Sequence, residues 1–363
     1  MQFRFRHACA ILVATLGFMG CAAAANLANG QRIFESTCIA CHGKPPVGGP
    51  ETVQGNIQVI KNAINTVAAM SFMRGSFTDT DLTDLAAYLL TFSAGPPAAS
   101  SYQGLWLKGD EAGWGVNITH QGTVLFATWF TYDTDGSGMW LVASSVAQTS
   151  SGNFSGALYR TMGPAFSASP FNSISFPANY TQVGNLSFSF SDANTGTMSY
   201  TVNGVSQSKA ITRFIYATGG TDCTLSGAQG SSPNYQDLWL RSADGSSEAG
   251  WGINITHQGD ILFATWFTYL PGSGSTNKGL WLVMSNGAKT APGVYTGALQ
   301  TTTGPAFSAV PFNPNNVART TVGSGTFTFT DANTGTFNYT VNGVTQSKPI
   351  ARFIYAIPST VCR

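Results

Sequence analysis

From Tyr102 onward the chain is written twice, and nothing else in it constrains the fold as strongly. GWGVNITHQG at residues 113–122 returns as GWGINITHQG at 250–259. LFATWFTY begins at Leu125 and again at Leu262, and GPAFSA at Gly163 and again at Gly304. Both copies close on DANTGT, then YTVNGV, then RFIYA, over residues 192–217 and 331–356. Every tryptophan lies in the copies: Trp106, Trp114, Trp129 and Trp140 in the first, Trp239, Trp251, Trp266 and Trp281 in the second. A unit this long exceeds a solenoid repeat, so each copy is expected to fold as a domain in its own right.

Within a copy, Leu186, Phe188 and Phe190 alternate with Ser, a DANTG turn follows, and Met198, Tyr200 and Val202 alternate with Ser, Thr and Asn. Period-two alternation around a turn reads as a half-buried antiparallel hairpin. About eight such strands per copy, each followed by a turn signal, favour an up-and-down eight-stranded barrel, with a sandwich as the alternative. Residues 26–92 read differently. Leu82, Leu85, Tyr88 and Leu89 share one helical stripe, with Thr78 or Asp79 as cap. The fold class is therefore multidomain: an all-α domain followed by two all-β antiparallel domains. The expected divisions are 1–25 signal peptide, 26–95 helical domain, 96–101 linker, 102–222 first β repeat, 223–234 linker and 235–363 second β repeat.

The signal peptide rests on Arg4 and Arg6, an apolar run from Ala8 to Met19 and small residues up to Ala25, where cleavage is expected. Cys21 offers a weaker lipid-anchor reading, because no leucine-led lipobox precedes it. Charged residues are only 9% of the chain and the net charge is +1, so no basic face exists for nucleic acid or an anionic membrane.

Cys38, Ile39, Ala40, Cys41 and His42 spell C-x-x-C-H, the attachment signature of c-type haem. Three-residue spacing on a helix puts both sulfurs on one face for thioether bonds to the vinyl groups, and His42 then presents its imidazole to iron. A zinc or thioredoxin-like reading lacks further ligands or a βαβ context. One covalent haem c is expected. Attachment happens outside the cytoplasm, which agrees with the signal peptide and predicts a periplasmic protein, with secretion or the cell surface as variants.

The segment from Asn26 to about Phe92 resembles the class I c-type cytochromes. Gly30 and Phe34 match that family's N-terminal helix, which crosses a C-terminal helix whose counterparts here are Leu85 and Tyr88. The resemblance implies that the Pro50 carbonyl accepts a hydrogen bond from the proximal histidine, His42. It implies a methionine as second axial ligand: Met70 by its distance from Thr78, Asp79 and Tyr88, with Met73 as the alternative. Electron transfer to a periplasmic or membrane redox partner follows, through weak and transient docking. The β repeats are similar to Trp- and Gly-rich repeats of bacterial secreted proteins, which brings no activity with it.

Cys223 and Cys362 each follow the last strand of a copy and are expected to form a disulfide in an oxidising compartment. His120 and His257, both in N-I-T-H-Q-G, read as hydrogen-bonded histidines at hairpin mouths rather than metal ligands. Asp133, Asp135 and Gly136 hint at a calcium loop, but the second copy has no carboxylates there and a plain turn is expected. No nucleophile with a base and no phosphate loop is present, so the chain reads as a carrier rather than an enzyme. The alternatives are a secreted protein whose repeats hold a small molecule or polymer beside a redox haem, and a haem enzyme or gas sensor with an open iron.

Overall fold

The computed structural model describes residues 25–39, 57–93, 101–217, 220–226, 234–241, 248–272 and 277–363. The chain divides into two compact units, Met1–Phe92 and Ser93–Arg363. Cys21 and residues 96–100 and 227–233, named above in the signal segment and the linkers, lie outside the described residues.

The first unit is helical: α1 (Leu27–Ile33) running into a π-helical turn (Phe34–Cys38), α2 (Ile57–Thr66), a 3₁₀ segment (Ala68–Met73) and α3 (Asp79–Ser93). The Asn26 side chain caps α1 by accepting from the amides of Ala28 and Asn29. The cap of α3 is Thr78, whose Oγ1 accepts from Asp81 N while Asp81 accepts from Thr78 N, a reciprocal capping box. Those bonds to Thr78 hold the Asp81 carboxyl below its usual range. The expected stripe is buried at Leu82, Leu85, Tyr88 and Leu89. Helix α1 meets α3 at Gly30: a Cβ there would stand 2.0 Å from Asp84 O and 2.7 Å from Tyr88 Cβ. Only a residue without a side chain lets the two backbones approach so closely. One turn on, the Phe34 ring packs 5.9 Å from that of Tyr88.

The second unit holds two closed eight-stranded antiparallel barrels, each an up-and-down meander. The first runs β1 (Gly104–Leu107), β2 (Gly115–Gln121), β3 (Val124–Tyr132), β4 (Gly138–Ser150), β5 (Asn153–Thr161), β6 (Tyr180–Phe190), β7 (Thr195–Val202) and β8 (Val205–Arg213), with β1 closing on β8. After β9 (Cys223–Leu225) the second repeats it as β10 (Asp237–Arg241), β11 (Gly252–Gln258), β12 (Ile261–Tyr269), β13 (Gly279–Ala291), β14 (Val294–Thr303), β15 (Ala318–Phe329), β16 (Thr334–Val341) and β17 (Val344–Arg352). Strand β18 (Thr360–Cys362) ends the chain. The hairpins are local chemistry. Asn203-Gly204 and Asn342-Gly343 take positive φ at both positions, the turn whose twist matches paired strands. In the DANTG turns, Asp192 Oδ1 accepts from the amides of Asn194 and Thr195, and Asp331 does the same for Asn333 and Thr334.

Each copy closes a barrel of its own, and one continuous apolar core runs through both. The contacts between them are reciprocal, as across a two-fold axis. Trp140 Nε1 donates to Thr268 O and Trp281 Nε1 to Thr131 O. Gln103 Nε2 donates to Gln236 O and Gln236 Nε2 to Gln103 O. The GPAFSA loop of each copy inserts into the other barrel: Phe307 packs 6.2 Å from Trp129 and its carbonyl accepts from Tyr200 OH, while Phe166 packs 5.9 Å from Trp266 and its carbonyl accepts from Tyr339 OH. The described ends of the expected linkers are also structured. Ser101 is buried and bonds Cys223 O and Thr360 Oγ1, and β9 pairs with β18 in a separate ribbon.

Candidate functional site

Cys38 ends the π-helical turn that prolongs α1, and with Ile39 it is partly buried against the helical core. Cys41, His42 and Pro50 lie outside the described residues. The 3₁₀ segment carrying both methionines is tied down at each end. Before it, Val67 N donates to Ala63 O; after it, Arg74 Nη2 donates to Asn65 O at 2.6 Å, and its Nε to Ile64 O, covering carbonyls at the end of α2. Met73 is 6% exposed and belongs to the core, whereas Met70 is partly buried at its margin. On the same segment Val67 and Phe72 are exposed, Phe72 to 69%. The thiol of Cys38 and the thioether of Met70 thus border one all-apolar cluster, beside apolar side chains that the chain leaves uncovered. A cysteine able to form a thioether with a porphyrin edge and a methionine sulfur able to meet its iron, both bordering one apolar cluster, fit a covalently bound haem.

The structure brings Cys223 and Cys362 opposite each other in the β9/β18 ribbon, with Cα atoms 4.1 Å and sulfurs 2.09 Å apart. They sit outside the barrel walls rather than on adjacent barrel strands. The two barrel histidines are buried near the ends of β2 and β11. Their Nδ1 atoms accept from the amides of Tyr102 and Tyr235 at 3.2 and 3.1 Å, and each ring stacks on that tyrosine. His257 Nε2 lies 2.9 Å from Gly259 O and 3.1 Å from Tyr295 OH. An acceptor role at Nδ1 requires the neutral ring with its proton on Nε2. Burial pushes both imidazoles down to about 4.

That shift has a signed consequence. Between about 6.5, the value of a free imidazole, and about 4, the unfolded chain binds protons at these rings that the folded chain refuses. Stability is therefore full above pH 6.5 and is lost as pH falls towards 4, by up to ~3 kcal/mol per histidine. The urea midpoint of the barrel unit, followed by tryptophan fluorescence, is expected to drop across this window. A flat profile from pH 7 to 4 would contradict the assignment.

Asp133 and Asp135 are engaged in the turn and across the barrels. Asp133 pairs with Arg160, and Asp135 accepts from Ser137 N and lies 3.2 Å from Lys278 Nζ of the other copy. Bonds to Ser137 hold its carboxyl down to about 2. Sequence reasoning missed two further polar sets. Glu111 accepts from Trp114 Nε1 and buried Lys209, and Glu248 accepts from Trp251 Nε1 and Lys348. Arg213 and Arg352 bind loop carbonyls while facing Trp106 and Trp239 at 5.0 and 5.1 Å. The available signal was the recurrence of the same charged residues in both copies of a chain with so few.

Among the described residues no helix is long and apolar enough to cross a membrane. A family model described as cytochrome c oxidase, cbb3-type, subunit III matches residues 25–89, the helical unit and none of the barrels. Cytochrome c6 of Thermosynechococcus vestitus is 34% identical over 111 aligned residues, covering 96% of that protein and 26% of this chain. Cytochrome c6 of Thermostichus vulcanus is 32% identical over 111, with the same coverage. A likeness that takes in nearly the whole of each relative, together with a family model that matches the helical unit, means that the chain belongs, through its N-terminal unit, to the c-type cytochromes.

Proposed function

We propose that the protein is an exported monohaem cytochrome that passes electrons to and from a redox partner outside the cytoplasm. Bound in the helical unit, haem c supplies reversible one-electron chemistry at iron. Cys38 and Cys41 would hold it through thioether bonds, His42 and Met70 would ligate its iron, and the Pro50 carbonyl would accept a hydrogen bond from the His42 ring. The observation that carries this reading is the placing of Cys38 and Met70 on the margin of one apolar cluster in a unit similar to cytochrome c6 over that protein's length. Met73 serves packing, since its side chain is already enclosed in that cluster.

The signal segment supports export to the periplasm, and so does a cysteine pair at bonding distance in the β9/β18 ribbon, which we read as a disulfide formed in an oxidising compartment. The barrels act as the module that docks or anchors the carrier.

The axial assignment is tested by the long-wavelength band that methionine sulfur gives with ferric haem. Met70→Ala is expected to abolish the band and to let the reduced protein bind carbon monoxide promptly, whereas Met73→Ala keeps the band and loses stability. Prompt carbon monoxide binding by the unaltered protein would instead indicate an open iron and an enzyme or sensor.

A further inference from the structure

The two barrels are related by a pseudo-two-fold axis, but their junction is not symmetric in content. On one side it holds a cavity of about 160 Å³. Its lining is largely aromatic, with Trp114 and Phe130 of the first barrel and Phe263 and Trp281 of the second, and it includes Gln300 and Arg319. Register identifies what occupies those two places on the other side. Val142 pairs with Tyr159 as Val283 pairs with Gln300, and Thr161 pairs with Tyr180 as Thr302 pairs with Arg319. There Tyr159 and Tyr180 pack edge to face, 6.1 Å apart, with Phe176 against both. The second copy thus replaces two rings by an amide and a guanidinium, and both of these line the cavity.

The cavity opens to solvent beside the exposed residues Ser285 and Arg319, so a small molecule can reach its aromatic walls from outside. An apolar cavity of about this volume takes a molecule the size of a benzene ring. The Arg319 side chain is exposed and has no hydrogen bond or ion pair among the described residues. A guanidinium is the group suited to a carboxylate, which it grips through two parallel hydrogen bonds.

We propose that this cavity is a binding site for a small aromatic carboxylate, its ring among Trp114, Phe130, Phe263 and Trp281 and its carboxylate on Arg319. The site does not depend on haem ligation, and it makes the barrel unit a ligand-holding module.

The test is titration of the full-length haem-loaded protein with benzoate, and with benzyl alcohol as the uncharged counterpart, by calorimetry and by tryptophan fluorescence. Benzoate is expected to bind one to one. Arg319→Gln is expected to weaken benzoate about tenfold, the scale of one charge-assisted hydrogen bond at a solvent-facing site, and to change benzyl alcohol less than about twofold. Gln300→Tyr, which restores the residue of the other copy, is expected to abolish both; Ser285→Tyr at the exposed rim replaces it should that variant not fold. Absence of one-to-one benzoate binding at millimolar concentration overturns the proposal. So does an equal loss of both ligands in Arg319→Gln, or unchanged binding in the variant that fills the cavity.

Discussion

Exported protein carrying Cys38→Ala and Cys41→Ala is expected to be colourless, with a helical unit that no longer resists protease, while the barrel unit melts as before. The asymmetry comes from core size. Among the described residues the helical unit buries ten apolar side chains, from Ile33 to Leu89, and one ion pair, Lys61 with Asp79, lies on its surface, where it adds less than about 1 kcal/mol. Once chain entropy is offset, a core of that size leaves a net stability of at most about 3–5 kcal/mol, so the apolar face of a bound porphyrin decides whether the helices hold. The barrels have a large aromatic core of their own. Limited proteolysis with mass analysis reads the result: cleavage concentrated within residues 26–93 and a surviving fragment that begins near Ser101. Protease resistance and helical circular dichroism equal to those of the haem-bearing protein would contradict this dependence.

Phe307→Ala is expected to lower the melting of both barrels together, although Phe307 belongs to the second copy and fills the first. Its ring is 5% exposed, lies edge-on to Trp129, and sits beside Tyr200, whose hydroxyl holds the loop by its carbonyl. Removing a buried phenyl ring costs about 3–5 kcal/mol. In a unit of this size that lowers the melting temperature by roughly 10 °C. Because one core runs through both barrels, calorimetry should record a single transition moving as a whole, and Phe166→Ala should repeat the effect from the other side. Two separate transitions, only one of them shifted, would mean that the barrels are independent bodies.

The parts of this fold legible in sequence are those set by short-range chemistry. Alternation around Met198, Tyr200 and Val202 marked a strand because its period is two, and the DANTG run before it marked a turn because Asp and Asn side chains bond to nearby backbone amides and Gly relieves the chain. Helix crossing at Gly30 was readable because the motif itself states where a side chain is missing. What sequence did not reveal is which core a side chain enters. Phe166, Phe307, Trp140 and Trp281 look like interior residues of their own copy, and hydrophobicity has no direction. Their placement in the other barrel follows from docking two identical patches on each other, a property of the assembled surface. The cavity is intermediate: the changes from Tyr159 to Gln300 and from Tyr180 to Arg319 are visible once the copies are aligned, but only the barrel junction makes them neighbours of Trp281. At the candidate haem site the attachment motif was explicit and spacing from Thr78, Asp79 and Tyr88 favoured Met70; what the sequence did not reveal is that Met73 is enclosed in the helical core while Met70 stands at its margin.

Electron transfer by this protein requires a porphyrin covalently joined to the helical unit through Cys38 and Cys41. The most direct test is the intact mass of the protein purified from a host competent in cytochrome maturation, taken with its absorption in the oxidised and dithionite-reduced states. A mass greater by one haem, stable to acid and organic solvent, with sharp visible bands that appear on reduction and vanish on reoxidation, is the predicted result. A chain of apoprotein mass with no visible absorption would contradict it.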